Sequence, residues 1–341
     1  MDALVPRVAI VVLAVAFSAW ALLSLVVLLG RARYDRQRRD PRSHELGVAE
    51  ARRLIRRAGG RPRTDWRRWR RVSALTRLTQ AHHPAAPRLV RRAVTDTDPS
   101  IAAAAIRVLG NLGDDWAIEL LLAAMREGHT PRSRIAAQLE RLAPRPGALL
   151  LPLLRDPDPA VRFWGATLLA PYPDLGQVSL LDLTRDTDPN VRAASVETLG
   201  GRGGQGVAEA ALALLGDPAW FVRVHAARSA GHVLGASGAP ALARLLSDTR
   251  WWVRTAAKDA LRGIGPQAVA ALLPVLTSAD AFARNGAAEV LQDIGFVDAL
   301  AFERPDSPLL ERIYAAGGER LREAAELRAR GRKLSEEARA A

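Results

Sequence analysis

The stretch DTDPNVRAASVETLG, residues 186–200, has a near copy one step upstream in DPDPAVRFWGATLLA, residues 156–170. Part of another stands further back in DTDPSIAAAAIRVLG, residues 96–110. A fixed internal period constrains a fold more than any other sequence feature. Each block is too small to bury its own apolar face and must stack on its neighbours.

Aligned on these stretches, the chain gives seven clear units and an eroded eighth in front, marked by Arg71, Ala74 and Leu78. The leading apolar position reads Ile101, Pro131, Val161, Val191, Val222, Val253 and Ala283, at spacings of 30, 30, 30, 31, 31 and 30. Four residues on come Ala105, Ile135, Gly165, Ser195, Ala226, Ala257 and Ala287, and four further Leu109, Leu139, Leu169, Leu199, Ala230, Leu261 and Leu291. Steps of four share one face of an α-helix. A small residue in the middle of that face lets a neighbouring helix approach, and the leucine below fills the gap. Asp98-Pro99, Asp158-Pro159 and Asp188-Pro189 supply an N-cap and a first-turn proline. A second apolar segment precedes each start, for example AIELLLAAM, GALLLPLL and AVAALLPVL, so each unit reads as a pair of short antiparallel helices.

The residue after the leading position is Arg132, Arg162, Arg192, Arg223, Arg254 or Arg284 in six of the seven units. A cation in the first turn opposes the helix dipole, so it needs a compensating partner. Acids recur five residues before the leading position, at Asp156, Asp186, Asp217 and Asp248 among others. Stacked units are expected to set these arginines against the aspartates of adjacent turns, as a structural ladder. The fold class is therefore all-α, a right-handed α-solenoid of about eight helix pairs over residues 71–305. Residues 306–341 supply capping helices and a charged tail, whose thin apolar stripe is Leu321, Ala324, Ala325 and Leu327.

The unit DPxVRxxAxxxLG resembles the HEAT family, specifically the short bacterial HEAT-like units of the phycobilisome-lyase type. The resemblance covers about two thirds of the chain. It implies a helical array that serves many roles, so it specifies fold and leaves function open.

Charge is confined to one place. Residues 31–71 hold sixteen arginines against five acids, a net +11 of the total +13. Arg7 and Asp2 cancel, which leaves residues 72–341 nearly neutral. Ahead of the basic segment, residues 8–30 read VAIVVLAVAFSAWALLSLVVLLG, without a charge. As a helix they span roughly 35 Å, enough for the ~30 Å hydrocarbon core. The run continues past AVA, a candidate cleavage site, into RARYDRQRR, which is a stop-transfer pattern. We therefore expect a single-pass anchor after a seven-residue tail, followed by an arginine-rich juxtamembrane segment over residues 31–70. Arg31, Arg33, Arg36, Arg38, Arg39 and Arg42 place the N-terminus outside and the repeats in the cytoplasm, at a plasma (inner) membrane. The same six are candidates for contact with anionic lipid headgroups.

Chemistry is sparse. Cysteine is absent, which excludes disulfides, thiolate metal sites and thiol nucleophiles. The resemblance raises three activities. A deoxyhypusine hydroxylase would carry His-Glu pairs on several repeats to hold iron, whereas the one pair here, His44-Glu45, precedes the array. HEAT-like DNA glycosylases need a basic face that this near-neutral array does not offer, so nucleic acid is disfavoured as a partner. A bilin lyase or lyase subunit is the alternative reading, with no residue beyond the repeat to favour it. GGRGGQG, residues 200–206, lacks the Lys-Ser/Thr ending of a phosphate loop and reads as a flexible turn. No enzyme, metal or cofactor is expected.

Trp220-Phe221 and Trp251-Trp252 occupy equivalent places, at the two junctions whose spacing grows to 31. They are candidates for binding a protein partner, or they fill the wider junction. The second reading accounts for the extra residue. The function expected is a non-catalytic, membrane-anchored scaffold or adaptor whose protein partner is itself membrane-associated.

Overall fold

A computed structural model describes residues 46–60, 65–204 and 206–340. The expected membrane anchor, residues 8–30, and the six candidate headgroup arginines lie outside the described residues. Among the described residues there is no strand, and most of them are helical. They divide into two compact units, with the boundary after Leu120, inside helix Asp115–Glu127.

In the first unit, Val48–Gly59 packs against Asp65–Gln80, and the latter against Ala86–Val94 and Pro99–Leu112. Ala51, Leu54 and Ala58 form the buried face of the first of these helices, at helical spacing. Part of the arginine-rich segment is thus folded. Arg71, the first residue beyond it, is buried, donating from Nε to Ala58 O at 2.8 Å and pairing through Nη1 with Asp96 at 2.7 Å.

In the second unit the second helices of successive repeats are Arg132–Arg141, Pro159–Leu168, Pro189–Gly200, Trp220–Leu234, Trp251–Ile264 and Ala281–Asp293. Val161, Val191, Val222, Val253 and Ala283 are wholly buried, as are the small residues and leucines at steps of four behind them. Asp98, Asp158, Asp188 and Asp280 each cap a helix, accepting from the backbone N–H two residues on. Trp220–Leu234 and Trp251–Ile264 start instead after Ala219 and Arg250, with no side-chain cap.

The first helices are less regular than the sequence suggests. Gly147–Arg155 is a 3₁₀-helix with Pro152 inside it, and the segment after Val269–Leu272 tightens to 3₁₀ at Leu273–Thr277, around Pro274. Proline has no N–H and its ring crowds the preceding turn, so an α-helical ladder cannot pass through it.

Neighbouring second helices approach closely. Ser229 Oγ donates to Val196 O at 2.7 Å, and Thr198 Oγ1 to Ala166 O at 3.0 Å. These hydroxyls stand at the same position in consecutive units, and each binds the same carbonyl of the unit before. Gly200 permits the approach, because a Cβ there would lie 2.6 Å from Ser229 Cβ.

One helical run among the described residues, Trp251–Thr277, is long and apolar enough to cross a membrane by length and composition. The chain breaks it at Gly265, where φ is 74°. Val253, Ala257, Leu261, Ala268, Leu272 and Leu276 from its two parts belong to the protein core. The glycine run after Leu199 turns the chain, with Gly203, Gly204 and Gly206 at positive φ, and Arg202 within it donates to the carbonyls of Leu175 and Leu169.

At the end of the chain, Pro308–Gly317 stops where Gly318 takes φ 81°, and Glu319–Ala340 packs against Phe296–Glu303. Ala325 is buried and Leu321 leans on the core, while Leu327 is exposed and does not extend the apolar stripe.

Candidate protein-interaction surface

The turns before the central second helices are each built by one aspartate and two arginines. Asp217 Oδ1 accepts from Ala219 N at 2.8 Å, which fixes its own turn. The same carboxylate takes two bonds from Arg192, at 2.7 Å from Nε and 2.9 Å from Nη2. Arg192 Nη1 meanwhile donates backwards to Asp186 O at 2.9 Å and Thr187 O at 3.2 Å. Each guanidinium therefore spans two turns. A first-turn cation is tolerated because its five N–H groups find carbonyls on one side and a carboxylate on the other.

The pattern recurs in register. Arg162 grips Asp186 at 2.8 and 2.9 Å, and Arg223 grips Asp248 at the same two distances. It changes at the ends. Arg132 reaches Asp158 rather than Asp156, whose oxygen lies 3.4 Å from Arg126. Ser278 stands where the next aspartate would be. Arg254 binds Asp248 O at 2.8 Å and rests its guanidinium 4.9 Å from the Phe282 ring centroid. Arg284 keeps only the carbonyls of Ser278 and Ala279.

The Asp186 and Asp248 carboxyls titrate below the ordinary aspartate range. Burial is the largest single influence on both and pushes them up. The arginine hydrogen bonds, the loop N–H groups and the guanidinium charges together outweigh it. A depressed folded-state pKa gives stability that is complete above the unfolded value, near about 3.9, and is lost as pH falls through the folded values. The urea midpoint is therefore expected to hold down to about pH 4 and then to fall. Asp186→Asn/Asp248→Asn is expected to start lower and to show a flatter acid limb. An unchanged limb in that variant would contradict the assignment.

At the start of these second helices stand the aromatic residues. Trp251 and Trp252 stack with ring centroids 3.7 Å apart at 29°, and each is 52% exposed. Trp220 is 39% exposed and meets Phe221 edge-on at 5.9 Å and 88°. Phe221 packs partly against the core. The junction-filling role thus describes Phe221 but not the tryptophans, which leave much of their rings in water. Phe282 joins them as a residue the sequence reading missed, at 69% exposure. Its signal was positional: it stands just before Ala283 as Phe221 stands before Val222 and Trp252 before Val253. Three successive units therefore carry aromatic residues at the start of the second helix, and arginine–aspartate rungs fix the turns before Trp220 and Trp251. Exposed aromatics next to arginine are the usual composition of a binding hot spot.

Phe163 and Trp164, inside Pro159–Leu168, form an edge-on pair at 5.1 Å and are only partly buried. Beyond the ladder, Lys258 and Arg262 form an ion cluster with Glu289, Asp293 and Asp259 between neighbouring second helices. Among the described residues, no group of three His, Asp or Glu side chains is placed to hold a metal ion.

The family profile for HEAT repeats matches residues 63–143 and 178–262. No curated protein matches this chain significantly in sequence. Among solved structures, it is similar to an engineered protein at 19% identity, covering 84% of this chain and 93% of that one, with a TM-score of 0.40. Human deoxyhypusine hydroxylase in complex with glycerol is similar at 18% identity, over 72% of this chain and 96% of that one, with a TM-score of 0.31. The CpcE–CpcF complex of phycocyanin lyase from Nostoc sp. is similar at 20% identity, over 68% of this chain and 93% of that one, with a TM-score of 0.37. Similarity at these levels carries no activity to this chain.

Proposed function

We propose that this chain, which carries HEAT repeats, is a non-catalytic scaffold tethered to the cytoplasmic face of a membrane by residues 8–30. Its second unit binds a protein partner through Trp220, Trp251, Trp252 and Phe282. The observation that carries the reading is that an exposed aromatic side chain stands at the start of the second helix in three successive units. Repeat arrays present extended surfaces of this kind, and truncating a Trp anchor in such a surface typically costs more than 1 kcal/mol of binding. Tethering adds effective concentration, because a binding surface held at a membrane meets membrane-bound partners far more often than one free in solution. The uncharged run and the arginines behind it support the tether and its orientation. No reaction is assigned, and no observation favours the lyase alternative.

The test is quantitative capture from solubilised membranes, comparing full-length wild type with Trp251→Ala/Trp252→Ala. These side chains are half exposed, so unfolding curves should nearly coincide. A partner held in stoichiometric amount by the wild type is expected to fall at least about tenfold with the variant, as the loss of two anchors predicts. Equal capture by both proteins, or no stoichiometric partner with either, would count against the reading.

A further inference from the structure

The first unit carries a different exposed surface. Trp66 and Trp69, one helical turn apart, stack at 5.3 Å and 18° and are 63% and 61% exposed. Arg70 places its guanidinium 5.8 Å from the Trp66 ring. Arg53, Arg57, Trp66, Trp69 and Arg70 line one shallow groove of about 580 Å³ between Val48–Gly59 and Asp65–Gln80.

The charges around it are unbalanced. Arg68, Arg71 and Arg77 reach Asp98, Asp96 and Glu50. Arg52, Arg53, Arg56, Arg57, Arg67 and Arg70 have no carboxylate partner among the described residues. Three of these cations, Arg53, Arg57 and Arg70, line the groove with the two solvated indoles, and together they call for a surface that is anionic outside and apolar within. The headgroup region of a bilayer has that profile: guanidinium meets lipid phosphate, and the amphipathic indole settles at the level of the headgroups. Only seventeen residues separate the uncharged run from Val48, a reach of at most about 60 Å for a fully extended chain. A single-stranded nucleic acid also suits arginine and aromatic groups, but it needs ring faces free for bases to stack on. Here the two indoles cover one face of each other, and Arg70 lies over the Trp66 ring.

We propose that the pair Val48–Gly59 and Asp65–Gln80 is a second membrane contact, in which Trp66 and Trp69 enter the interface of an anionic leaflet while Arg53, Arg57 and Arg70 bind lipid phosphates. This rests on the tethered reading, so the experiment separates the two. Full-length protein is reconstituted into vesicles of phosphatidylcholine alone or mixed with phosphatidylglycerol, each also prepared with brominated chains that quench tryptophan. Retention on vesicles through an alkaline wash reports the tether. The quenching lost in Trp66→Phe/Trp69→Phe relative to wild type reports this contact, and unfolding curves check that the variant folds. We expect that difference to be large with phosphatidylglycerol and small without it. Arg53→Gln/Arg57→Gln/Arg70→Gln, which keeps both indoles, should remove the dependence on anionic lipid. Retained protein without the quenching difference overturns the contact and leaves the tether standing. Protein lost in the wash, with no quenching difference, overturns both. Equal quenching in the two lipids overturns the phosphate-binding role of the arginines. Displacement of the quenching by a single-stranded oligonucleotide would reassign the groove to nucleic acid.

Discussion

An Asp217→Ala protein is expected to lose about 3 kcal/mol of stability in its second unit, the range found when one partner is removed from a buried ion pair. The carboxylate is nearly inaccessible, with 4% of its side chain exposed, and Arg192 opposite it is 14% exposed. Removing it strands two N–H groups of Arg192 and the N–H of Ala219. Unpaired buried donors cost more than the original bonds contributed. Arg192→Met/Asp217→Leu should therefore lose less than Asp217→Ala, because it leaves no orphaned charge. Repeat proteins open locally, so urea unfolding should be read together with amide exchange over residues 162–234. A loss below about 0.5 kcal/mol would mean that the rung behaves as an ordinary surface ion pair.

Gly200→Val is expected to cost at least as much, by overpacking. A Cβ at residue 200 would meet Ser229 Cβ at 2.6 Å and Ser229 Cα at 2.9 Å, so relief requires moving the neighbouring helix rather than a side chain. Steric insertions of this kind cost about 1–3 kcal/mol and more where backbone must shift. The buried bond from Ser229 to Val196 O would be lost with it. Gly263→Ala is the control. Nothing lies within 4 Å of a Cβ there, and alanine in a helix is favoured over glycine by about 1 kcal/mol. Thermal unfolding should fall sharply for the first protein and hold or rise for the second. Similar midpoints for the two would refute the close-contact account.

The elements legible in the sequence are those that repeat. The buried positions at steps of four, the Asp-Pro helix starts and the acids five residues ahead of the leading position all showed as periodic columns. They are fixed by local geometry that every unit shares. The rest depends on distances between helices. That Ser229 bridges to the unit before it follows from an approach that Gly200 allows, and neither Ser229 nor Thr198 looks unusual in its own helix. The 3₁₀ turns at Pro152 and Pro274 were visible as prolines but were averaged away by the apolar pattern around them. Trp66 and Trp69 lay in a segment whose arginines dominated its reading. Phe282 was hidden by its small neighbours, although the register alone would have found it.

The arginine–aspartate rungs close over short stretches of chain, 24 residues for Arg162 and 25 for Arg192 and Arg223. Contacts so local let a fold form quickly and from one end. On the ribosome, each newly made guanidinium waits about 25 residues for its carboxylate, about one to five seconds of synthesis at ordinary elongation rates. The growing tip always carries one unmatched cation, and each new block quenches the charge left by the one before it. Translation in this stretch of chain therefore works like a zip fastener, with the slider at the exit tunnel.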